Sequence, residues 1–216
     1  MVNTKERDFI EIDYIGRIKE SNQIFDLTYE DIAKTENLNQ GHVHFGPKVI
    51  CLGENQILKA IDKFLIDKET GKTYTLELKP EEGFGKKDLS LSKIVTIDTL
   101  RKQNINPFPG LQINASGIMG TIRSVNGGRV IIDFNHPLAG KNLVYEIKIN
   151  KTVDKDEDKI RSLLASLLNL HNEEYTLTIE SNKAKVKLKP VIPTKAKEEI
   201  IAKAKNLIPS LEIAFV

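Results

Sequence analysis

The sequence predicts an α+β protein in which antiparallel strands outnumber short helices. Three observations carry this reading. Residues 73–79 and 143–150 alternate apolar and polar side chains with period two, the pattern of a half-buried antiparallel strand. The helical stretches are short, as over residues 55–65, where Ile57, Ile61, Phe64 and Leu65 recur on one face. The texture also changes near residues 88 and 153, which divides the 216 residues into a strand-rich region, an interruption and a tail.

Taken in order, the first strand has Phe9, Glu11 and Asp13 on one face and Ile10, Ile12 and Tyr14 on the other. Gly16 breaks the alternation, and Ile24-Phe25-Asp26 starts a second extended piece after a polar turn. A polar loop is expected over residues 28–45, then an apolar strand over 49–52 stopped by Gly53. The helix over 55–65 and the strand over 73–79 follow, closed by Pro80 and Gly83-Phe84-Gly85. Past residue 88, an extended piece over 93–97 leads to a short helix over 99–103, with Asp98 as its expected cap. Strands over 111–118 and 119–125, the hairpin signal Asn126-Gly127-Gly128 and a β-branched strand over 129–134 come next. Residues 143–150 alternate once more. The tail opens with a helix marked by Ile160, Leu163, Leu164, Leu167 and Leu168. Strands over 175–180 and 183–189, a helix over 194–207 and a strand over 211–216 complete a small α+β unit.

Lys and Arg number 32 against 30 Asp and Glu, so the balance of charge gives no electrostatic case for nucleic acid or an anionic membrane as a partner. No apolar run approaches the roughly 18 residues that span a bilayer. The charged N-terminus lacks a signal-peptide core, and the expected location is the cytoplasm. Cys51, the single cysteine, sits in an apolar run and reads as a buried small hydrophobe.

Side chains that usually carry reactions are sparse. His42 and His44 offer a pair of metal ligands without a third at a fixed spacing, so no metal site is expected. Nucleophile elbows, phosphate loops and dinucleotide fingerprints are missing from the sequence. Catalysis here must therefore need no nucleophile, metal or cofactor. Rotation about an X-Pro bond is such a reaction. Its barrier, about 18–20 kcal/mol for a peptide bond, arises because twisting destroys the partial double bond. The twisted state has less charge separation than the planar one, so an apolar slot with few polar groups favours it.

The chain resembles the FKBP isomerases, and within them the SlyD-like and long archaeal forms. The resemblance rests on Asp13-Tyr14-Ile15-Gly16, Phe25-Asp26, Gly53 with Gln56-Ile57-Leu58, and Pro80 followed by Gly83-Phe84-Gly85. Asn135-His136-Pro137-Leu138-Ala139-Gly140-Lys141 with Leu143-Val144-Tyr145 completes a collinear set over about residues 8–152. It implies an FKBP-like antiparallel sheet wrapped on a short helix, with an inserted β-rich domain and a C-terminal α+β domain. The implied boundaries are 1–87 with 130–152 for the isomerase domain, 88–129 for the insert in the flap, and 153–216 for the accessory tail.

By position, the resemblance gives Tyr14, Phe25, Asp26 and Phe84 as catalytic residues, and Ile57, Leu58, Ile61 and Tyr145 as the rest of the pocket. Asp26 is the carboxylate near the twisting bond, oriented by Tyr14. The Leu58 N–H holds the carbonyl before proline, and Ile61 is the floor. Two departures stand out. Ala60 replaces the usual Gly before the floor residue, and no residue matches a pocket aromatic expected shortly before Gly53, Phe45 being the nearest.

The insert carries Leu89, Leu91, Ile94, Leu100, Ile105, Phe108, Leu111 and Met119, more apolar side chains than about 40 residues bury well. Some are expected to face unfolded chains, with Leu100 and Leu111 among the contacts. The implied function is isomerisation of X-Pro bonds with chaperone binding of unfolded or nascent proline-containing polypeptides. The alternative is an FKBP-fold binding module with little activity. Lys183, Lys185, Lys187 and Lys189 share a strand face, read as solvated or as a guarded edge. The tail's role is left between a plain accessory domain and one that pairs two copies.

Overall fold

The computed structural model describes residues 2–38 and 45–216. Along the chain they form β1 (Phe9–Ile18), β2 (Ile24–Leu27), α1 (Glu30–Thr35), β3 (Lys48–Cys51), α2 (Lys59–Phe64) and β4 (Thr73–Leu78). Next come β5 (Ser92–Thr96), α3 (Ile97–Arg101), β6 (Gln112–Ala115), β7 (Ile118–Asn126), β8 (Arg129–Asp133) and β9 (Leu143–Thr152). The tail contributes α4 (Asp156–Leu168), β10 (Tyr175–Glu180), β11 (Lys183–Leu188), α5 (Thr194–Leu207) and β12 (Glu212–Phe215). The architecture is α+β, and its strands pair antiparallel except β11 with β12, which α5 joins in parallel. Among the described residues no helix is long and apolar enough to cross a membrane.

The chain divides into two units, residues 1–77 with 144–216 and residues 78–143. In the first, a sheet of order β2-β1-β9-β4 is extended by β3, which also pairs with β1. The ten residues of β1 serve two partners in turn: Phe9–Ile12 pair with β3, and Ile15–Arg17 pair with β2 across a bulge after Gly16. Helix α2 begins later than the sequence suggested. Buried Asp62 accepts from the Gly53 N–H at 3.0 Å and the Asn55 N–H at 2.9 Å, which ties residues 53–55 into a turn and delays the helix to Lys59. Within the polar stretch read as loop, Glu30–Thr35 form α1, whose Ala33 is buried with Ile15, Ile24 and Leu27.

The tail forms the sheet β10-β11-β12 under α4 and α5, but its core does not stop at Val153. Phe9 and Cys51 are buried in one cluster with Ile160, Leu163, Leu164 and Ile200. Ser162 Oγ donates to the Val49 carbonyl at 2.8 Å, and Lys203 meets Glu54 at 2.9 Å. The first strand is therefore covered on the Phe9 face as well. Strand β11 is central and not an edge; its lysines lie exposed, with Lys185 paired to Glu180 at 2.9 Å.

The second unit is an antiparallel sheet of order β5-β8-β7-β6 packed over α3. Leu100, Ile113, Ile122, Val130 and Ile132 form its core. Gly120 is required there, because a Cβ at that position would stand 2.6 Å from the Phe134 ring. The cap of α3 is Thr96, whose hydroxyl accepts from the Thr99 N–H, so the helix starts two residues before the expected position. The strand expected over 111–118 breaks at Ser116-Gly117, both with positive φ, and β6 turns there into β7. Residues 130–133, assigned by resemblance to the isomerase domain, instead belong to β8 between β5 and β7. The neck lies at Asp88 and Asn135: the Asp88 N–H donates to Asn135 Oδ1 at 2.8 Å, and Asn135 Nδ2 donates to the Asp88 carbonyl at 2.9 Å.

Candidate active site

The site is built on the paired strands β1 and β2. Their pairing sets Gly16 opposite Asp26. Tyr14 stands two residues before Gly16 and therefore on the same face. Gly16 matters through its missing side chain: a Cβ there would meet Phe25 Cζ at 2.8 Å and Tyr145 Cε1 at 3.0 Å. The bare strand lets both rings close over it. Tyr145, from β9, lies 5.6 Å from Phe25 edge-to-face and 6.0 Å from Tyr14.

Polar groups in this aromatic cluster are few and connected. Tyr14 Oη donates to Asp26 Oδ2 at 3.0 Å, and Lys48 Nζ donates to Tyr14 Oη at 2.6 Å. Burial holds the Tyr14 hydroxyl far above the ordinary phenol range, reinforced by the charge and hydrogen bond of Asp26. Burial, with the Asp26 charge, raises Tyr145 as well. Both phenols thus remain protonated donors. Beside them, Thr28 Oγ1 donates to Asp13 Oδ1 at 2.6 Å and accepts from the Tyr14 N–H at 3.0 Å, which anchors the strand that carries Tyr14.

The remaining residues implied by resemblance fall as follows. Ile61 is fully buried on α2, and Leu58 is the residue that caps this helix, with Ile57 half-buried just before it. Phe84 belongs to the second unit, where its ring stacks on His136 at 4.4 Å with the planes parallel. Leu100 and Leu111 do not face outward: Leu100 is 4% exposed in the insert's core and Leu111 packs against the same cluster. Small as it is, the insert still closes a core, to which Leu100 of α3 contributes beside Ile113, Ile122, Val130 and Ile132 of its sheet. The exposed apolar side chains are others, among them Leu89 at 86%, Ile94 at 66% and Met119 at 53%. Ile94 and Ile131 are cross-strand partners on the sheet's outer face.

Phe45, the nearest stand-in for the expected aromatic, packs with Ile15, Ile24 and Leu27. What reaches Tyr14 from β3 is Lys48, which sequence reasoning missed; an exposed lysine before an apolar run carries no signal of its own. The His42–His44 pair lies outside the described residues.

Residues 2–101 match the family model described as FKBP-type peptidyl-prolyl cis-trans isomerase, and residues 93–138 match the model described as FKBP26, IF domain. The chain is similar to the short-type peptidyl-prolyl cis-trans isomerase of Methanocaldococcus jannaschii, with 29% identity over 150 residues that cover 69% of this chain and 94% of that one. It is 26% identical to the FKBP-type peptidyl-prolyl cis-trans isomerase SlyD of Helicobacter pylori over 118 residues, 53% of this chain and 63% of the relative. A probable FKBP-type 16 kDa peptidyl-prolyl cis-trans isomerase of Pseudomonas fluorescens shares 29% over 108 residues, 48% of this chain and 71% of its own.

Proposed function

Because the chain belongs to the FKBP-type peptidyl-prolyl cis–trans isomerases, we propose that the Tyr14–Asp26 pair under Phe25 and Tyr145 is its catalytic slot and that the insert holds unfolded chains. The observation that carries the slot is the 3.0 Å hydrogen bond from a buried phenol to Asp26 inside an aromatic cluster. Water is displaced from the rotating amide by the rings, which favours the less charge-separated twisted state. Asp26 supplies one fixed negative charge beside the bond, and Tyr14 sets its orientation. Ile57 and Leu58 flank the prolyl ring, and Ile61 lies beneath it. Lowering the barrier by 1.36 kcal/mol gives about tenfold in rate, so a few such contacts suffice.

The chaperone role rests on the apolar side chains that the insert leaves in solvent, Leu89, Ile94, Phe108, Ile118 and Met119. An unfolded segment held there raises the effective concentration of its prolines at the slot. The clients are unfolded or nascent proline-containing polypeptides. A weakly active binding module is the second reading, and the observation in its favour is Lys48 at a wall where an aromatic was expected.

The test is to join Asp88 to Asn135 with a short glycine linker, since these residues already clasp each other at the neck. Isomerisation of short proline peptides should persist, while acceleration of a proline-limited refolding reaction and suppression of aggregation should fall sharply. Equal refolding by the shortened chain would remove the chaperone role.

A further inference from the structure

The hydrogen bonds around Tyr14 form a chain whose direction is forced. Lys48 Nζ lies 2.6 Å from Tyr14 Oη, and Tyr14 Oη lies 3.0 Å from Asp26 Oδ2. An ammonium has only donors and a carboxylate only acceptors, so the single phenol proton must point to Asp26 while a phenol lone pair accepts from Lys48. Lys48 alone would leave that hydroxyl free to turn, and Asp26 alone would hold it less firmly. With the Asp26 partner only, the hydroxyl rotates between the carboxylate and any other acceptor brought near, including a substrate carbonyl. With both, the rotor is held.

The backbone explains how Lys48 comes to be there. Lys48 opens β3 directly opposite Ile12 of β1, so its side chain leaves the sheet on the face shared by Ile12 and Tyr14. The distance to Tyr14 is a diagonal cross-strand step, within reach of a lysine but not of a short side chain. Its ammonium also stands 5.1 Å from the Tyr14 ring centroid, a cation–π distance. Pro47 precedes it and Gly46 donates to the Thr28 carbonyl at 2.8 Å, which fixes the approach of β3 beside the paired strands that carry Tyr14 and Asp26. Lys48 itself is exposed and belongs to no core cluster, so its position is not explained by packing.

We propose that Lys48 is a positioning residue of the isomerase site, holding the Tyr14 hydroxyl proton on Asp26 and thereby fixing the carboxylate beside the rotating bond. This rests on the slot assigned above. Hydrogen bonds with a charged partner are roughly twice as strong as neutral ones, and each polarises the next along a chain. Removing the ammonium weakens the Tyr14–Asp26 link without emptying the slot, so the effect falls on turnover and not on substrate affinity.

The experiment measures kcat and KM on a short proline peptide for the full chain and for Lys48→Met, Lys48→Arg, Tyr14→Phe and Lys48→Met/Tyr14→Phe. Lys48→Met should lower kcat about three- to tenfold with KM little changed, and Lys48→Arg should restore most of it. In the Tyr14→Phe background the lysine change should add nothing, because the link it acts through is gone. The Tyr14 ring 13Cζ resonance should shift in Lys48→Met and return in Lys48→Arg. An active wild type with unaltered Lys48→Met kinetics overturns the role of Lys48 alone. So does an equal loss in the Tyr14→Phe background, which would mean that Lys48 acts on the substrate directly. An inactive wild type overturns the slot assignment and the role of Lys48 with it.

Discussion

Replacing Leu163 by Ala should destabilise the proposed isomerase slot, although Leu163 lies in the tail. Its side chain is fully buried in a cluster that also holds Phe9 and Cys51, from the two paired strands β1 and β3. Deleting the buried methyls of a leucine costs about 2–5 kcal/mol, the range reflecting how far the cavity collapses. Ser162 next to it fixes α4 to the Val49 carbonyl, which limits the collapse and favours the upper half of that range. With a urea dependence of about 2 kcal/mol per molar, the unfolding midpoint should fall by about 1.8–2.5 M. The assay follows urea unfolding by helix circular dichroism and by residual peptide isomerisation in parallel. A core shared by tail and slot predicts that both curves move together by the same amount. An activity curve that keeps its wild-type midpoint while the helix signal melts early would refute this reasoning. The tail would then be an independent domain, as the composition break at residue 153 suggests.

Three other perturbations follow from particular contacts. Gly16→Ala places a Cβ 2.8 Å from Phe25 and 3.0 Å from Tyr145, so kcat/KM should drop about tenfold or more as the rings are displaced, and unchanged kinetics would count against the slot. Ile94→Ser with Met119→Ser should weaken suppression of aggregation while leaving stability within about 0.5 kcal/mol, whereas Leu100→Ser should cost about 3 kcal/mol and melt the insert. Calorimetry beside a light-scattering assay separates the two effects, and equal scattering for the outer-face double variant would show that clients bind elsewhere. Burial works to raise the carboxyl of Asp133, but hydrogen bonds from Asn135 and Arg123, with the Lys87 charge, outweigh it and lower the pKa to about 2. A depressed carboxyl stabilises above its unfolded value and loses that contribution as the pH falls through the folded one. The insert should therefore weaken between about pH 4 and pH 2, and Asp133→Asn should flatten that dependence; a wild-type acid profile in the variant would assign the transition to other groups.

The sequence exposed those parts of the fold whose signal is local. Asn126-Gly127-Gly128 announced the β7–β8 hairpin because both glycines adopt positive φ there. Residues 194–207 were legible as a helix because their apolar face repeats through four turns and Pro209 ends it. Helix α1 was hidden: it has six residues, an N-cap with no side-chain bond, and one buried side chain. The start of α2 was misplaced because Asp62, seven residues beyond Asn55, decides it by accepting N–H groups from the turn. The burial of Phe9 depends on α4, about 150 residues away in sequence, and no local pattern reports that contact. In the aromatic cluster, Tyr14, Phe25, Asp26 and Tyr145 were marked by their order along the chain. Lys48 was not, since its role comes from the register of β3 against β1.

The most direct test of the account is the rate of cis–trans exchange in a short proline peptide, measured by NMR exchange spectroscopy with the full chain and with Asp26→Ala, each with and without a chelator. Exchange should be fast with the wild type, unchanged by chelator, and slowed at least tenfold by Asp26→Ala in a protein that keeps its thermal midpoint. Wild-type exchange rates in the folded Asp26→Ala variant would contradict it.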